Sequence, residues 1–407
     1  MEKFVQVGRT IKVKKVRNNV HIPDDLAFSI LSKLPLKSCK RFRCVRKSWS
    51  LLFKNPNFMN EFRNNLLCNN NRSRSDYSDI FLLLSEGGHD ALYLLPNEKF
   101  DDRIKLDLPP PFEGDDSNIY IFNSVSVNGI LCLGQNRMMR FRCVLWNPAT
   151  HEFILIPPSP DDESVPPYHN RDCEFRGFGY DPVRDDYKVI RYVKFDYEFD
   201  INVPEEDRWH EPMLEIYSLR SNSWRIIHAN MNDYYFDKHD EEVYLNGMCH
   251  WWADIPLEGR RSGQDNRKGY LLSFDFTDEV FYETPMMLDW GDAVGVGVVP
   301  MVLNDSVGVI SFCYDTTVFH ISILGELGEE KSWFKLCIIR LIPSILYPIG
   351  VWKNGHIYFR KQNNEPVWIN LSTRMINEIG IKRENYGYPL IGIYKENLLA
   401  RIRGIHS

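Results

Sequence analysis

A small basic helical head followed by a large all-β body of propeller type is the fold class these 407 residues predict. Three observations carry that reading. Apolar residues at helical spacing, i and i+4, are confined to the first 60 or so positions. Beyond residue 80, short runs rich in Val, Ile, Tyr, Phe and Trp alternate with turn signals, the pattern of a sandwich, barrel or propeller. Asn-Gly or Asn-Asp pairs then recur at intervals that divide into units of about 50 residues, the length of one propeller blade. The class is therefore α+β and multidomain: a basic tail over 1–19, a helical domain over 20–62, a linker over 63–79 and a propeller-like domain over 80–407.

The head comes first. Pro23 followed by Asp24 and Asp25 suits a helix start, since proline fits the first turn and acids there complement the macrodipole. Leu26, Ile30 and Leu34 fall on one stripe, widened by Ala27 and Leu31, and Pro35 stops the helix. A second helical segment is predicted from Leu36 to about Val45, and a third from near Lys47, with Trp49, Leu52 and Phe53 on one side. No acidic residue lies between Asp25 and Glu61, whereas Lys33, Lys37, Lys40, Arg41, Arg43, Arg46, Lys47 and Lys54 are basic. Three helices this short bury little on their own, so apolar surface is left for a partner.

These residues resemble an F-box, the helical motif that docks on the Skp-type adaptor of a cullin ubiquitin ligase. The match runs through Ile22–Leu26, Ile30–Ser38 and Arg41–Trp49. Ile22 stands where the family usually has leucine, and Cys39-Lys40 replaces a more apolar pair. The resemblance implies that Ile22, Pro23, Leu26, Ile30, Leu34, Pro35, Leu36, Val45 and Trp49 make or support the adaptor contact. It also gives the basic run a purpose, because the family's adaptor is acidic. Two other uses compete for the same residues. Trp49 and the leucines can close the head's own core, and a basic helical triplet can read DNA. Against DNA, the basic residues spread over all three segments and no Asn/Gln base readers accompany them, so no nucleic-acid partner is expected.

The body follows. Residues 1–60 carry 14 basic and 3 acidic side chains, a net of +11, leaving 35 basic and 52 acidic, a net of −17, for the rest. Head and body therefore suit different partners. Asn128-Gly129, Asn246-Gly247 and Asn354-Gly355, with Asn304-Asp305 in an equivalent place, are type I′ hairpin signals. A second hairpin follows each, as in Trp146-Asn147-Pro148-Ala149-Thr150 and Phe274-Asp275-Phe276-Thr277-Asp278. Blades are predicted at 119–158, 174–229, 242–285, 295–341 and 346–381. A hairpin over Ile80–Leu95 and another over Leu390–Ile405 make a sixth that clasps the ring and removes exposed edges.

This body is similar to the plant F-box-associated domain, often described as kelch-like, with the S-locus F-box proteins among its relatives. The matching words are Asn128–Leu133, Leu145–Thr150, Phe178–Pro182 with Asp185–Val189, Glu215–Leu219 with Ser223–Arg225, and Ser332–Leu336. The Gly-Gly kelch signature is missing. The resemblance implies a module that recruits a protein substrate to a plant ligase.

Catalysis leaves little trace. Asp181, Asp185 and Asp186 fit a strand-connecting turn better than a cation site, and Gly291, Gly295 and Gly297 lack the Lys-Ser/Thr of a phosphate loop. His250 beside Trp251-Trp252 reads as a packed strand histidine. Nine scattered cysteines without a C-x-x-C pair, and no apolar leader, predict reduced thiols in the cytoplasm or nucleus. No run approaches the roughly 18 apolar residues of a membrane span, so neither a membrane nor a metal or cofactor is expected. Three loops are candidate substrate surfaces: 161–169, 196–209 with Tyr197, Phe199 and Trp209, and 233–242 with Tyr234, Tyr235 and Phe236. Their acids suit a basic partner. The functional expectation is a non-catalytic adaptor subunit of a ubiquitin ligase; the alternative is a propeller scaffold or lectin-like protein with no ubiquitin role.

Overall fold

The computed structural model describes residues 22–34, 38, 41–42, 44–52, 55–67, 79–86, 89–95, 103–112, 119–137, 140–197, 204, 208, 210–228, 242–256, 267–286, 296–303, 305–313, 316–352, 356–363, 365–371, 373, 375–378, 390–394, 396–397 and 402. Three helices come first: α1 (Asp24–Leu31), α2 (Lys47–Leu52) and α3 (Pro56–Leu67). Ser38, Arg41 and Phe42, between α1 and α2, are also helical, and all other regular structure among the described residues, apart from short 3₁₀ turns, is β.

Four sheets each hold four strands in antiparallel order. They are β8 (His169–Asp181), β9 (Asp186–Tyr197), β10 (Met213–Ser218) and β11 (Ser223–Ile227); β12 (Val243–Leu245), β13 (Met248–Pro256), β14 (Arg267–Asp275) and β15 (Val280–Met286); β16 (Val296–Leu303), β17 (Ser306–Cys313), β18 (Val318–Leu324) and β19 (Trp333–Arg340); and β20 (Ile345–Trp352), β21 (His356–Lys361), β22 (Pro366–Asn370) and β23 (Ile376–Glu378). A fifth sheet has eight strands in the order β3-β2-β1-β24-β4-β5-β6-β7. Its members are β1 (Asp79–Glu86), β2 (His89–Leu95), β3 (Ile104–Lys105), β4 (Ile119–Val127), β5 (Ile130–Arg137), β6 (Arg140–Asn147), β7 (Glu152–Leu155) and β24 (Leu390–Tyr394). The molecule is an all-β propeller with few helices, its described residues forming five hydrogen-bonded sheets.

The sequence expectation of six separate blades is corrected by this pairing. Among the described residues the front segment contributes three strands and the back one, β24; most of the predicted hairpin beyond Tyr394 lies outside the described residues. A parallel pair, Ile393 with Val125, then joins these four strands to β4. The clasp itself forms, with β1 against β24 from Asp79↔Tyr394 to Leu83↔Leu390.

Local chemistry explains the turns. Asn128 and Gly129 have φ of 52° and 80°, and Asn246 and Gly247 have 52° and 83°, the positive values a type I′ hairpin requires. Asp305 also has positive φ, while Asn304 and Asn354-Gly355 lie outside the described residues. The second hairpins are Asx turns. Asn147 Oδ1 accepts from the Ala149 amide at 3.0 Å, Asp275 Oδ1 from Thr277 at 2.7 Å, and Asn370 Oδ1 from Thr373 at 2.9 Å.

Apolar clusters fill the space between neighbouring sheets. Cys132, Leu145 and Ile130 meet Phe178, Val189 and Tyr217, and Ile190 and Ile216 meet Trp251, Leu272 and Phe274. Tryptophans on outer strands fasten two of the units to their predecessors: Trp224 Nε1 donates to Pro157 O at 2.8 Å and Trp333 Nε1 to Pro285 O at 2.9 Å. A Cβ on Gly179 would overlap the Phe276 ring, which is why the Phe178-Gly179-Tyr180 segment carries glycine there.

Asp181 is fully buried at the end of β8. Its Oδ1 accepts from the Val183 and Arg184 amides, and its Oδ2 from Lys188 Nζ and Arg184 at 2.9 Å. Lys188 reaches on to Phe276 O at 2.7 Å and Glu279 at 3.0 Å, stapling one sheet to the next. Burial pushes both carboxyls up, but Lys188 and Arg184 outweigh it at Asp181, and Arg225 with Lys188 at Glu279, holding both below their ordinary range. Depressed carboxylates stabilise the fold above their unfolded pKa of about 4, and that contribution is lost as pH falls through the folded values. The thermal midpoint is expected to drop steeply from pH 5 to 3, and less steeply in Asp181→Asn, which starts lower. Parallel slopes in a pH series of melts would remove this staple from the account.

Candidate functional site

Two regions can meet partners: the helical head and the end of the ring where β8 begins and β9 ends.

In the head, Pro23 occupies the N-cap position (φ −56°, ψ 147°), one place before the helical turn the sequence suggested, and its carbonyl accepts from the Ala27 amide at 2.9 Å. α1 ends at Leu31, a turn before Pro35, so Leu34 sits in the turn and packs partly buried on the core. The predicted single stripe therefore divides. Ala27 and Leu31 face inward, while Leu26 is 50% and Ile30 47% exposed. Val45 (64%) and Leu51 (61%) are exposed too. Trp49 is only 8% exposed, with Phe42 against it at 6.0 Å, so it supports the surface instead of forming it. Ile22 packs partly buried on the same core. Pro35 and Leu36 lie outside the described residues, as do 37, 39, 40 and 43 of the second predicted segment, while Ser38, Arg41 and Phe42 within it are helical.

What seals the inner face was not anticipated. α3 overlaps the predicted linker by five residues, 63–67. Asn55 caps it, its Oδ1 accepting from the Asn57 amide at 2.9 Å, with Pro56 at the first helical position. That Asn-Pro signal was present in the sequence. Phe58 stands edge-on to Phe28 at 5.3 Å, and Phe62 meets Phe334 of β19 at 6.1 Å. Head and ring share one apolar core, in which Ala27, Leu31, Trp49, Phe58 and Phe62 join residues of β16–β22. Ser48 Oγ donates to Asp24 at 3.4 Å, and Asn65 Nδ2 to Ser32 Oγ at 3.2 Å. The outer face keeps exposed Lys33, Arg41, Arg46 and Lys47 beside its apolar residues.

At the ring, β8 and β9 are the longest strands, pairing from His169↔Tyr197 to Asp181↔Asp186, whereas β10 joins β9 only as far as Met213↔Val193. The hairpin thus projects by about four residues. Tyr197 is half-buried at the open end of this strand pair, 5.6 Å from the His169 ring, with the Arg208 guanidinium 5.9 Å from its own ring. Phe199, Trp209, Tyr234, Tyr235 and Phe236 lie outside the described residues, so the structure places one of the six predicted contact aromatics.

A buried ionic cluster that sequence reasoning missed holds this projection. Arg191 Nε donates to Glu215 Oε2 at 2.5 Å, and its Nη2 to Asp162 at 2.6 Å. Arg171 lies 3.4 Å from Glu215, which also accepts from Ser159 Oγ at 3.2 Å. Arg191 stacks over Trp224 at 4.3 Å. The available signal was a charge of each sign inside apolar strands, Ile190-Arg191 and Leu214-Glu215-Ile216.

Elsewhere, side chains engage in packing. His250 is buried, donor or acceptor to Ser273 Oγ at 2.7 Å, and burial lowers its pKa to about 4, so it is neutral near pH 7. Cys132 and Cys143 are free thiols 3.4 Å apart, and burial raises the Cys132 pKa. Among the described residues no three His, Cys, Asp or Glu side chains form a metal-binding group, and no helix is long and apolar enough to cross a membrane.

The molecule is thus a β-ring that shares its apolar core with a small cationic helical head, itself exposing apolar residues. Residues 84–399 match the family described as the F-box associated beta propeller domain, and the chain belongs to it: this is a plant F-box protein with an F-box-associated domain. Relatives in Arabidopsis thaliana include the F-box protein CPR1, 24% identical over 390 residues that span 89% of this chain and 84% of the relative. Another is the F-box/LRR-repeat/kelch-repeat protein At2g27520, 24% identical across 77% of this chain and 75% of its own. Solved structures give distant likenesses. A chain of the nidogen/laminin complex has TM-score 0.41 and 11% identity, covering 78% of this chain and 99% of that one. A fungal lectin from Aleuria aurantia has TM-score 0.38 and 10% identity, covering 77% and 98%. Likenesses this remote carry no argument about function.

Proposed function

We propose that the chain is the substrate-recognition subunit of a Skp–cullin–F-box ubiquitin ligase, its head docking on the Skp-type adaptor and its ring holding a protein substrate. The observation that carries this is the exposure of Leu26, Ile30 and Val45 on a head whose opposite face is committed to the ring. Apolar side chains left out of a core that is otherwise closed fit an interface, and the surrounding cations fit an acidic partner. The subunit itself performs no chemistry; it contributes proximity of substrate to the ligase. Pro23 shapes the approach to Leu26, and Ile22, Leu34 and Trp49 brace it from behind. Tyr197 and the acidic loops around it are the proposed substrate contact, for a basic partner, in the cytoplasm or nucleus.

Co-expression with a plant Skp-type adaptor tests the reading. The intact chain is expected to co-purify with it. Leu26→Glu combined with Ile30→Glu is expected to weaken the complex by at least about 30-fold, the loss of about 2 kcal/mol from an interface anchor. Both positions are half-exposed, so the variant's melting midpoint stays close to that of the parent. Failure of the intact chain to bind the adaptor would leave the scaffold or lectin-like alternative standing.

A further inference from the structure

We infer that the outer edge of β19 is a docking site for an extended segment of a protein partner, acidic between apolar residues, which adds to the sheet as one more strand. β18 pairs with one side of β19, and among the described residues no strand pairs with the other. Its eight residues make it longer than the other strands that come last in their sheets, with four in β7, five in β11, seven in β15 and three in β23. An open strand edge offers a row of backbone donors and acceptors to an incoming chain.

The pairing determines which groups are on offer. The Leu341 amide donates to Thr317 O at 2.8 Å, so residues 341, 339 and 337 turn their N–H and C=O toward β18. Ile338 and Arg340 turn theirs outward, and among the described residues neither makes a backbone hydrogen bond there. A bulge at Leu336 bends the strand before this point, leaving the straight run after it. The side chains agree with the backbone. Ile338 is 45% and Ile342 49% exposed, Arg340 between them is exposed, and their spacing by twos sets all three on one face. Ile339 points the other way, into the core shared with the head.

Charge selects the guest. Arg340 has no ion pair or hydrogen bond from its guanidinium among the described residues, and Lys335 is exposed on the same strand. On β11, by contrast, Arg225 is already paired with Glu279. The body as a whole is acidic, so a cationic edge is an exception within it. Glu329 and Glu330 are exposed too, but in the turn before β19, at the end away from Arg340. Two copies of this edge would bring cation toward cation, which disfavours self-pairing. A carboxylate flanked by two apolar side chains matches Ile338, Arg340 and Ile342 in order, as cross-strand neighbours do within a sheet. The edge belongs to the ring, and the inference does not rest on the ligase reading.

Fluorescence anisotropy of the full chain with labelled Thr-Val-Thr-Glu-Thr-Val-Thr tests the site, the two valines and the glutamate of this peptide sharing one face. A dissociation constant on the order of 0.1 mM is expected, weakened about fivefold when lysine replaces the glutamate. Arg340→Glu, at an exposed position, is expected to reverse that preference and favour the lysine peptide. Methylating the amide nitrogen of the peptide's glutamate removes a donor facing β19 and is expected to weaken binding as well. Strand addition is read by hydrogen exchange: saturating peptide is expected to slow about two amides within 337–342, those of Ile338 and Arg340. No binding at about 1 mM peptide, or equal affinity for the two peptides in parent and variant, overturns the inference. So does unchanged exchange over 337–342 at saturation. Slow exchange of both amides in the peptide-free chain would mean that the edge is already covered, and overturns it too.

Discussion

Glu215→Ala is expected to destabilise the ring by about 3–5 kcal/mol, the cost of leaving buried cations unpaired. Glu215 is 1% exposed, and the Arg171 and Arg191 side chains that converge on it are 7% and 5% exposed. Asp162, at 29%, is more exposed than Glu215 and is left to balance two guanidiniums by itself. Ser159 also loses its acceptor, on the turn that leads toward β8. Desolvation and Coulomb attraction nearly cancel in the intact cluster, so the cluster adds little net stability; its removal by halves is what costs. The double variant Arg191→Met/Glu215→Leu is accordingly expected to recover much of the loss. Urea unfolding at pH 7 measures both, and a loss under about 1 kcal/mol in Glu215→Ala would show that solvent reaches the cluster.

Phe62→Ala is the second large effect, about 3–5 kcal/mol for an aromatic removed from a closed core. Phe62 is 1% exposed and lies between Phe58 of the head and Phe334 of β19. Its loss opens a cavity where head and ring meet, so the head is expected to unfold before the ring, turning one melting transition into two. Leu51→Ala, on the same head but 61% exposed, is expected to change stability by less than about 0.5 kcal/mol. Calorimetry separates the cases. A single transition at the parent's midpoint for Phe62→Ala would mean that the aromatic stack does not join the two parts.

Much of the ring was legible because its signals are local. Positive φ at Asn128-Gly129 and Asn246-Gly247 follows from residue type, and the Asx turns at Asn147 and Asp275 from side chains that mimic backbone. The predicted unit 242–285 corresponds to β12–β15 at 243–286, within one residue at each end. Asp181 reads as a turn residue in both descriptions, bonded to Val183 and Arg184 amides. The unit predicted from 174 begins instead at His169, because Asn170, Arg171 and Asp172 are polar and hide the strand's extension. Their pairing with β9 and the ionic cluster beneath, both non-local, create it.

The head divides the same way. Helical spacing placed Leu26, Ala27, Ile30 and Leu31 on one broad stripe, and nothing in that spacing says which half faces a partner. α3 decided it: Phe58 and Phe62 draw Ala27 and Leu31 inward and leave Leu26 and Ile30 outside. Order along the chain was sufficient for turn chemistry, repeat length, the charge contrast of +11 against −17, and the family. Only the folded molecule settled that head and ring share a core, that the terminal strands join the first sheet, and that opposite charges from β9 and β10 meet out of water. The reason is distance: a turn is governed by residues two or three apart, whereas burial depends on segments brought together from hundreds of residues away.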